Sequence, residues 1–237
     1  MKPVVFAGPS IHGIADEHLS GLDCRAPAAR GDILDTVRQG ARTIGLIDGL
    51  YGDCAAVWHK EILFALSNGI AVFGGASMGA LRAAECEAFG MIGIGDIFEA
   101  YRDGHRVSDA DVAVSHAPGE LGYRPLTIAL VDAEATLAAC GDAITPEEYD
   151  KLASAARTLH FTRRTWRAVA TNAGLSTATA HLLAAHAISA KRNDATRLLS
   201  VLKNEPLPSP APQSWKLQNT LFFEQLTARQ MAVEDAP

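Results

Sequence analysis

The chain has 237 residues, 48% of them hydrophobic and 20% charged, with a formal net charge of -6 at pH 7. That length implies one or two domains and a core large enough to stand without disulfides or metal. The composition excludes wholesale disorder, and no apolar run approaches the roughly 20 residues that span a bilayer.

Met1 to Gly8 carries one Lys and a single short apolar run, too brief for the core of an export signal. A cytoplasmic protein with no membrane partner is therefore expected. Cys24, Cys54, Cys86 and Cys140 form no C-x-x-C pair and no paired Cys/His spacing. Buried, reduced thiols are expected, with no metal site and no other cofactor.

In chain order, Pro3–Ala7, Thr43–Ile47 and Gly69–Phe73 are short runs apolar at nearly every position, each stopped by Gly, Pro or Asp. They read as strands buried on both faces of a parallel sheet, with Val112–Ser115 as a candidate fourth. Helical spacing fills the gaps over Asp32–Gln39, Cys54–Leu66, Gly79–Phe89 and Ile97–Tyr101. Alternating strands and helices predict an α/β fold, a mostly parallel sheet with flanking helices over residues 1–125.

An all-helical C-terminal part follows over 126–204, opening with a helix at Leu126–Ala139. Thr145-Pro146-Glu147-Glu148 then supplies an N-cap, a Pro at the first helical position and a capping-box Glu. Breaks are expected near Gly174 and at Arg192-Asn193-Asp194. Pro206, Pro208, Pro210 and Pro212 mark a linker over 205–214, and an amphipathic helix is expected within 215–237.

A parallel sheet places ligands at the carboxyl ends of its strands. Those ends carry Gly8-Pro9-Ser10, Asp48-Gly49 and Gly75-Ala76-Ser77-Met78-Gly79. The last matches G-x-S-x-G between an apolar strand and a helix. A tight turn there is expected to push Ser77 toward positive φ, with Gly75 and Gly79 removing Cβ clashes.

The helix that follows offers free N–H groups from Met78 and Gly79 to an oxyanion or an anionic ligand. The alternative is a plain turn with Ser77 as N-cap. A nucleophilic Ser needs a base. His59 stands early in the helix after Asp48, and His116 ends the candidate fourth strand near Asp109 and Asp111. Only the latter set keeps the Ser, acid, His order of α/β-hydrolases.

Asp48 could orient a His, bind a cation or close an Asx-turn. Arg82 and Glu85 have the spacing of a surface helix pair, with Arg82 also suited to a carboxylate substrate. Gly8 and Ser10 form a candidate phosphate edge, without either of the common glycine-rich nucleotide motifs.

Several stretches together resemble the TfuA-like family. They are Val4–Ser10, Arg30–Ile33, Ile47–Gly49, Val57–Leu63, Gly75–Glu85 and Phe89–Gly93. The resemblance runs over roughly 3–130. It implies a role beside a YcaO enzyme, which activates a backbone amide of a ribosomal peptide with ATP so that sulfide enters as a thioamide. TfuA-like proteins have been viewed as sulfur-delivery partners, as YcaO activators, or as hydrolases of a thiocarboxylated ubiquitin-like carrier protein.

Under the hydrolase reading, Ser77 attacks the thiocarboxylate. His59, preferred because it lies in a matching stretch, takes the proton with Asp48 nearby, and Met78 and Gly79 hold the oxyanion. Lys60 or Arg82 steers the carrier's acidic terminus. The competing reading is a non-catalytic binding partner and activator of YcaO.

The net charge hides an asymmetry. Residues 1–150 carry a net charge of -12, residues 151–203 carry +8, and the remainder carries -2. The basic segment includes Arg163, Arg164, Arg167, Lys191, Arg192 and Arg197. It is expected to act as a docking surface for an acidic protein or to balance the acidic part internally. Few aromatics accompany it, so nucleic acid is not an expected partner. Self-association stays open.

Overall fold

A computed structural model describes residues 1–50, 52, 54–204, 214–221, 223–225 and 227. Three of its strands are the apolar runs: β1 (Val4–Phe6), β3 (Thr43–Leu46) and β4 (Ala71–Gly75). Two more, β2 (Asp23–Arg25) and β5 (Ile92–Ile94), close the edges. All five are parallel in the order β2-β1-β3-β4-β5, one of the two common doubly wound orders. Val112–Ser115 is not a strand. It lies in a loop whose one bridge joins His116 to Pro125.

Strand alternation sends side chains to two faces. Val4, Phe6, Ile44, Leu46 and Val72 face a layer made by α2 (Asp32–Arg38), α3 (His59–Ser67), α4 (Met78–Cys86) and α5 (Asp96–Arg102). Val5, Ala7, Ile47, Ala71 and Phe73 face the opposite way. Their cover is Ala195, Leu198, Leu199 and Leu202 of α10 (Ala190–Lys203), flanked by Leu19 of the short α1 (Asp16–Leu19). Burying each of those leucines contributes about 1.5–3 kcal/mol. Gly45 permits the close approach, because a Cβ there would stand 2.6 Å from Leu202 Cδ1.

The helical part divides by its packing. Four helices share a core centred on Leu137, Leu152, Val169 and Leu183: α6 (Leu130–Cys140), α7 (Pro146–Thr158), α8 (Trp166–Asn172) and α9 (Thr177–Ala185). The Thr145–Glu148 capping box forms as expected. The break expected at 192–194 does not occur, since α10 runs through it; the chain leaves helix at 186–189 instead.

Asp194 is buried because its carboxylate accepts the Asp96 and Ile97 N–H groups at the start of α5. Two helices start later than their spacing suggests: α3 at His59 rather than Cys54, and α6 at Leu130 rather than Leu126. The break near Gly174 is present.

Cys86 and Cys140 are buried, whereas Cys24 and Cys54 are exposed, so only half the thiols fit the buried expectation. The proline run at 206–212 lies outside the described residues. So does most of the expected C-terminal helix, whose described part is helical at Leu221, 223–225 and Thr227 but not at 216–220. Phe223 packs on Leu34 and Phe64, and the Trp215 indole N–H donates to the Phe89 carbonyl. No helix among the described residues is long and apolar enough to cross a membrane.

Candidate functional site

The order of strand addition reverses between β1 and β3, and ligands bind at such a point in doubly wound sheets. Asp48, just beyond β3, fills it. Only 2% exposed, its Oδ2 accepts the Gly8 and Ser10 N–H groups at 2.8 and 3.0 Å, and its Oδ1 accepts the Ser10 hydroxyl at 2.7 Å. These bonds tie the ends of two central strands together. Gly8 and Ser10 are thereby spent on Asp48 rather than presented as a phosphate edge, and among the described residues Asp48 meets no His.

The turn after β4 differs from the expected elbow. Ser77 has φ -125° and lies outside the left-handed region; the strained residue is Ala76, at φ 65°. The Ser77 N–H closes a tight turn onto the Gly75 carbonyl at 2.8 Å. Ser77 is the N-cap residue of α4 by position, yet its hydroxyl makes no cap bond. The Gly79 N–H donates to the Ile47 carbonyl at 3.1 Å. Gly79 is therefore no oxyanion donor: α4 lies so close to β3 that the sheet takes this N–H. The Met78 N–H has no acceptor among the described residues.

A cavity of about 90 Å³ opens here. Asp48, Gly49 and Ser77 line it from the sheet. Val112, Val114 and His116 line it from the loop after α5, Phe161 from the turn before α8, and Lys191 from the first turn of α10. His116 Nδ1 lies 2.8 Å from the Ala117 carbonyl, which can only accept. Nδ1 therefore donates to it, which in the neutral ring leaves the lone pair on Nε2.

The acid expected beside His116 is absent. Asp111 pairs with Arg106 at 3.1 Å, and Asp109 is exposed. Lys191 is 3% exposed; its ammonium donates to the Val112 carbonyl at 2.7 Å and stands 3.9 Å from Asp48 Oδ1. Sequence reasoning counted Lys191 only among surface basics, because nothing local signals a partner so distant in the chain.

The other expected site residues gather elsewhere. His59 Nε2 meets Glu85 at 2.7 Å, and Arg82 meets the same carboxylate at 2.6 Å. Burial opposes ionisation of Glu85, but these two partners outweigh it and hold its carboxyl below the ordinary value. Glu85 lies eight residues along α4 from Ser77, about 12 Å at the helical rise. His59 is therefore held at the far end of α4 and cannot serve Ser77 as its base.

Lys60 reaches the Gln218 carbonyl. Arg164 is buried as well, donating to the Ala156, Ile128 and Leu159 carbonyls. With Lys191 also buried, two of the nine Lys and Arg of residues 151–203 are withdrawn from the basic surface; Lys151, Arg157, Arg163, Arg167, Arg192, Arg197 and Lys203 stay exposed.

No curated protein matches the chain. A family model described as TfuA-like protein matches residues 48–165. The matched stretch starts later than the resemblance read over 3–130 and reaches further into the helices. It takes in Asp48, Ser77, Met78 and His116, and leaves out Gly8, Ser10 and Lys191. By this match the chain belongs to the TfuA-like family.

Proposed function

We propose that this protein acts with a YcaO-type enzyme in backbone thioamide formation on ribosomal peptides. Its part is to hydrolyse the C-terminal thiocarboxylate of a ubiquitin-like carrier protein and so release sulfide. One observation carries the reading. Ser77 is almost fully buried, and its hydroxyl is unused as a cap and borders a cavity that His116 also lines.

Ser77 Oγ attacks the thiocarboxylate carbon while His116 Nε2 accepts its proton. The Met78 N–H meets the charge that develops on the acyl oxygen. Sulfide leaves, and water assisted by His116 then cleaves the acyl-serine. The net reaction consumes one water and returns a carboxylate and hydrogen sulfide.

The test is sulfide release from a thiocarboxylated carrier. Ser77→Ala and His116→Ala are each expected to lower the rate by ~100-fold or more, and His59→Ala to leave it within about twofold, since it does not meet the cavity. Release at the native rate by Ser77→Ala overturns the reading.

A non-catalytic activator of YcaO is the second reading. It is favoured by the commitment of the Gly79 N–H, which leaves the turn one backbone donor where an oxyanion hole commonly has two. Excess free sulfide separates the two readings: a hydrolase becomes dispensable, whereas an activator stays required.

A further inference from the structure

Lys191 is an odd residue to bury where it is. It occupies the second position of α10, and a cation at a helix N-terminus is opposed by the helix dipole. Burial adds a desolvation cost that a well-packed apolar side chain would not incur.

Its pairing does not explain it. An ammonium has three N–H donors. One is used by the Val112 carbonyl, and Asp48 Oδ1 at 3.9 Å is beyond hydrogen-bond reach. Both Asp48 oxygens are already engaged by Gly8 and Ser10. The other nearby carboxylate, Asp132, accepts the Lys191 backbone N–H at 3.0 Å rather than the ammonium. Among the described residues, two ammonium donors therefore have no acceptor, at the wall of a cavity where the Ser77 hydroxyl also has none.

We infer that Lys191 and the Ser77 hydroxyl together form a binding site for one carboxylate-class anion, a carboxylate or a thiocarboxylate. At about 90 Å³ the cavity is far below the ~300–1,000 Å³ of sites for drug-sized ligands. It admits a chain-terminal acid group and excludes a nucleotide. The inference deepens the hydrolase reading and rests on the same cavity. An anionic thiocarboxylate resists a nucleophile until its charge is offset, and Lys191 supplies that offset.

The test is titration of the full-length protein with thioacetate, acetate and the neutral isostere acetamide, read by backbone amide NMR shifts and by thermal shift. Saturable binding of both anions, with shifts at Met78 and Val112 and none from acetamide, is the expected result. Lys191→Met should bind at least ~10-fold more weakly while melting no lower than the parent. Equal responses to acetamide and acetate, or undiminished binding by Lys191→Met, overturn the inference. Should Lys191→Met fail to fold, the wild-type titrations still decide.

The carrier assay fails separately. If the anions bind but Ser77→Ala releases sulfide at the native rate, the hydrolase reading falls and the anion site stands. If Ser77→Ala is inactive but the anions do not bind, the anion site falls and the hydrolase reading stands.

Discussion

Gly79 sets how near α4 can come to the sheet. A Cβ at this position would stand 1.7 Å from the Leu46 carbonyl oxygen, a backbone atom with no room to retreat. Gly79→Ala should therefore cost at least about 3 kcal/mol, read as a lost or sharply lowered thermal transition. Ser10 answers to a different constraint. Its hydroxyl is one of three donors to the buried Asp48 carboxylate, and Ser10→Ala leaves that oxygen short of a partner. A loss of about 1.5–3 kcal/mol in urea denaturation is expected, the range for a hydrogen bond to a charged group.

Residue-level reading from sequence succeeded where the signal was local. Gly75, Ser77 and Gly79 belong to one turn, and the turn forms where expected. It failed where a partner was remote: no spacing rule links Lys191 to Val112, 79 positions apart. Closeness in a motif stretch is not closeness in space: His59 meets Glu85, while His116 lines the cavity beside Ser77.

Elements are joined through their ends. Glu61 is fully buried in the first turn of α3, where Oε1 accepts the Trp58 N–H and Oε2 accepts the Gly31 N–H at the start of α2. Burial pushes its carboxyl up from 4.5 to about 7, against the pull of those donors. The folded chain thus holds a proton that the unfolded chain gives up above pH 4.5. The associated stability is fully present below that pH and is lost as pH rises to about 7, on the order of 3 kcal/mol. Urea midpoints between pH 4.5 and 8 should fall with rising pH in the parent and flatten in Glu61→Gln.

The same scale explains which strands could be read beforehand. β1, β3 and β4 are central and buried on both sides, so their sequences are uninterrupted apolar runs. β2 and β5 are three-residue edges, partly exposed and written Asp-Cys-Arg and Ile-Gly-Ile, which carry no such run. The polar triplet 192–194 resembled a break because Asp194 is polar for a reason outside its own helix, the capping of α5.

At the scale of the whole molecule, the change in composition near residue 125 does not divide the core. Residues 1–125 contain the sheet, but the face formed by Val5, Ile47 and Phe73 is covered by α10. Residues 1–125 expressed alone should be insoluble or lack a cooperative thermal transition, and co-expression with 126–237 should restore one. Seven of the nine Lys and Arg of residues 151–203 remain exposed as the basic surface, so association with an acidic partner should weaken with salt.

The long return of α10 also bears on time. One helix late in the chain both seals the sheet and brings Lys191 to the cavity wall, so no earlier stretch can assemble the site. On a ribosome the chain would be inert until α10 had emerged and docked. Contacts this distant in sequence also make folding slow. A freshly made copy should gain its thermal transition and its anion binding in a single late kinetic phase, with neither preceding the other.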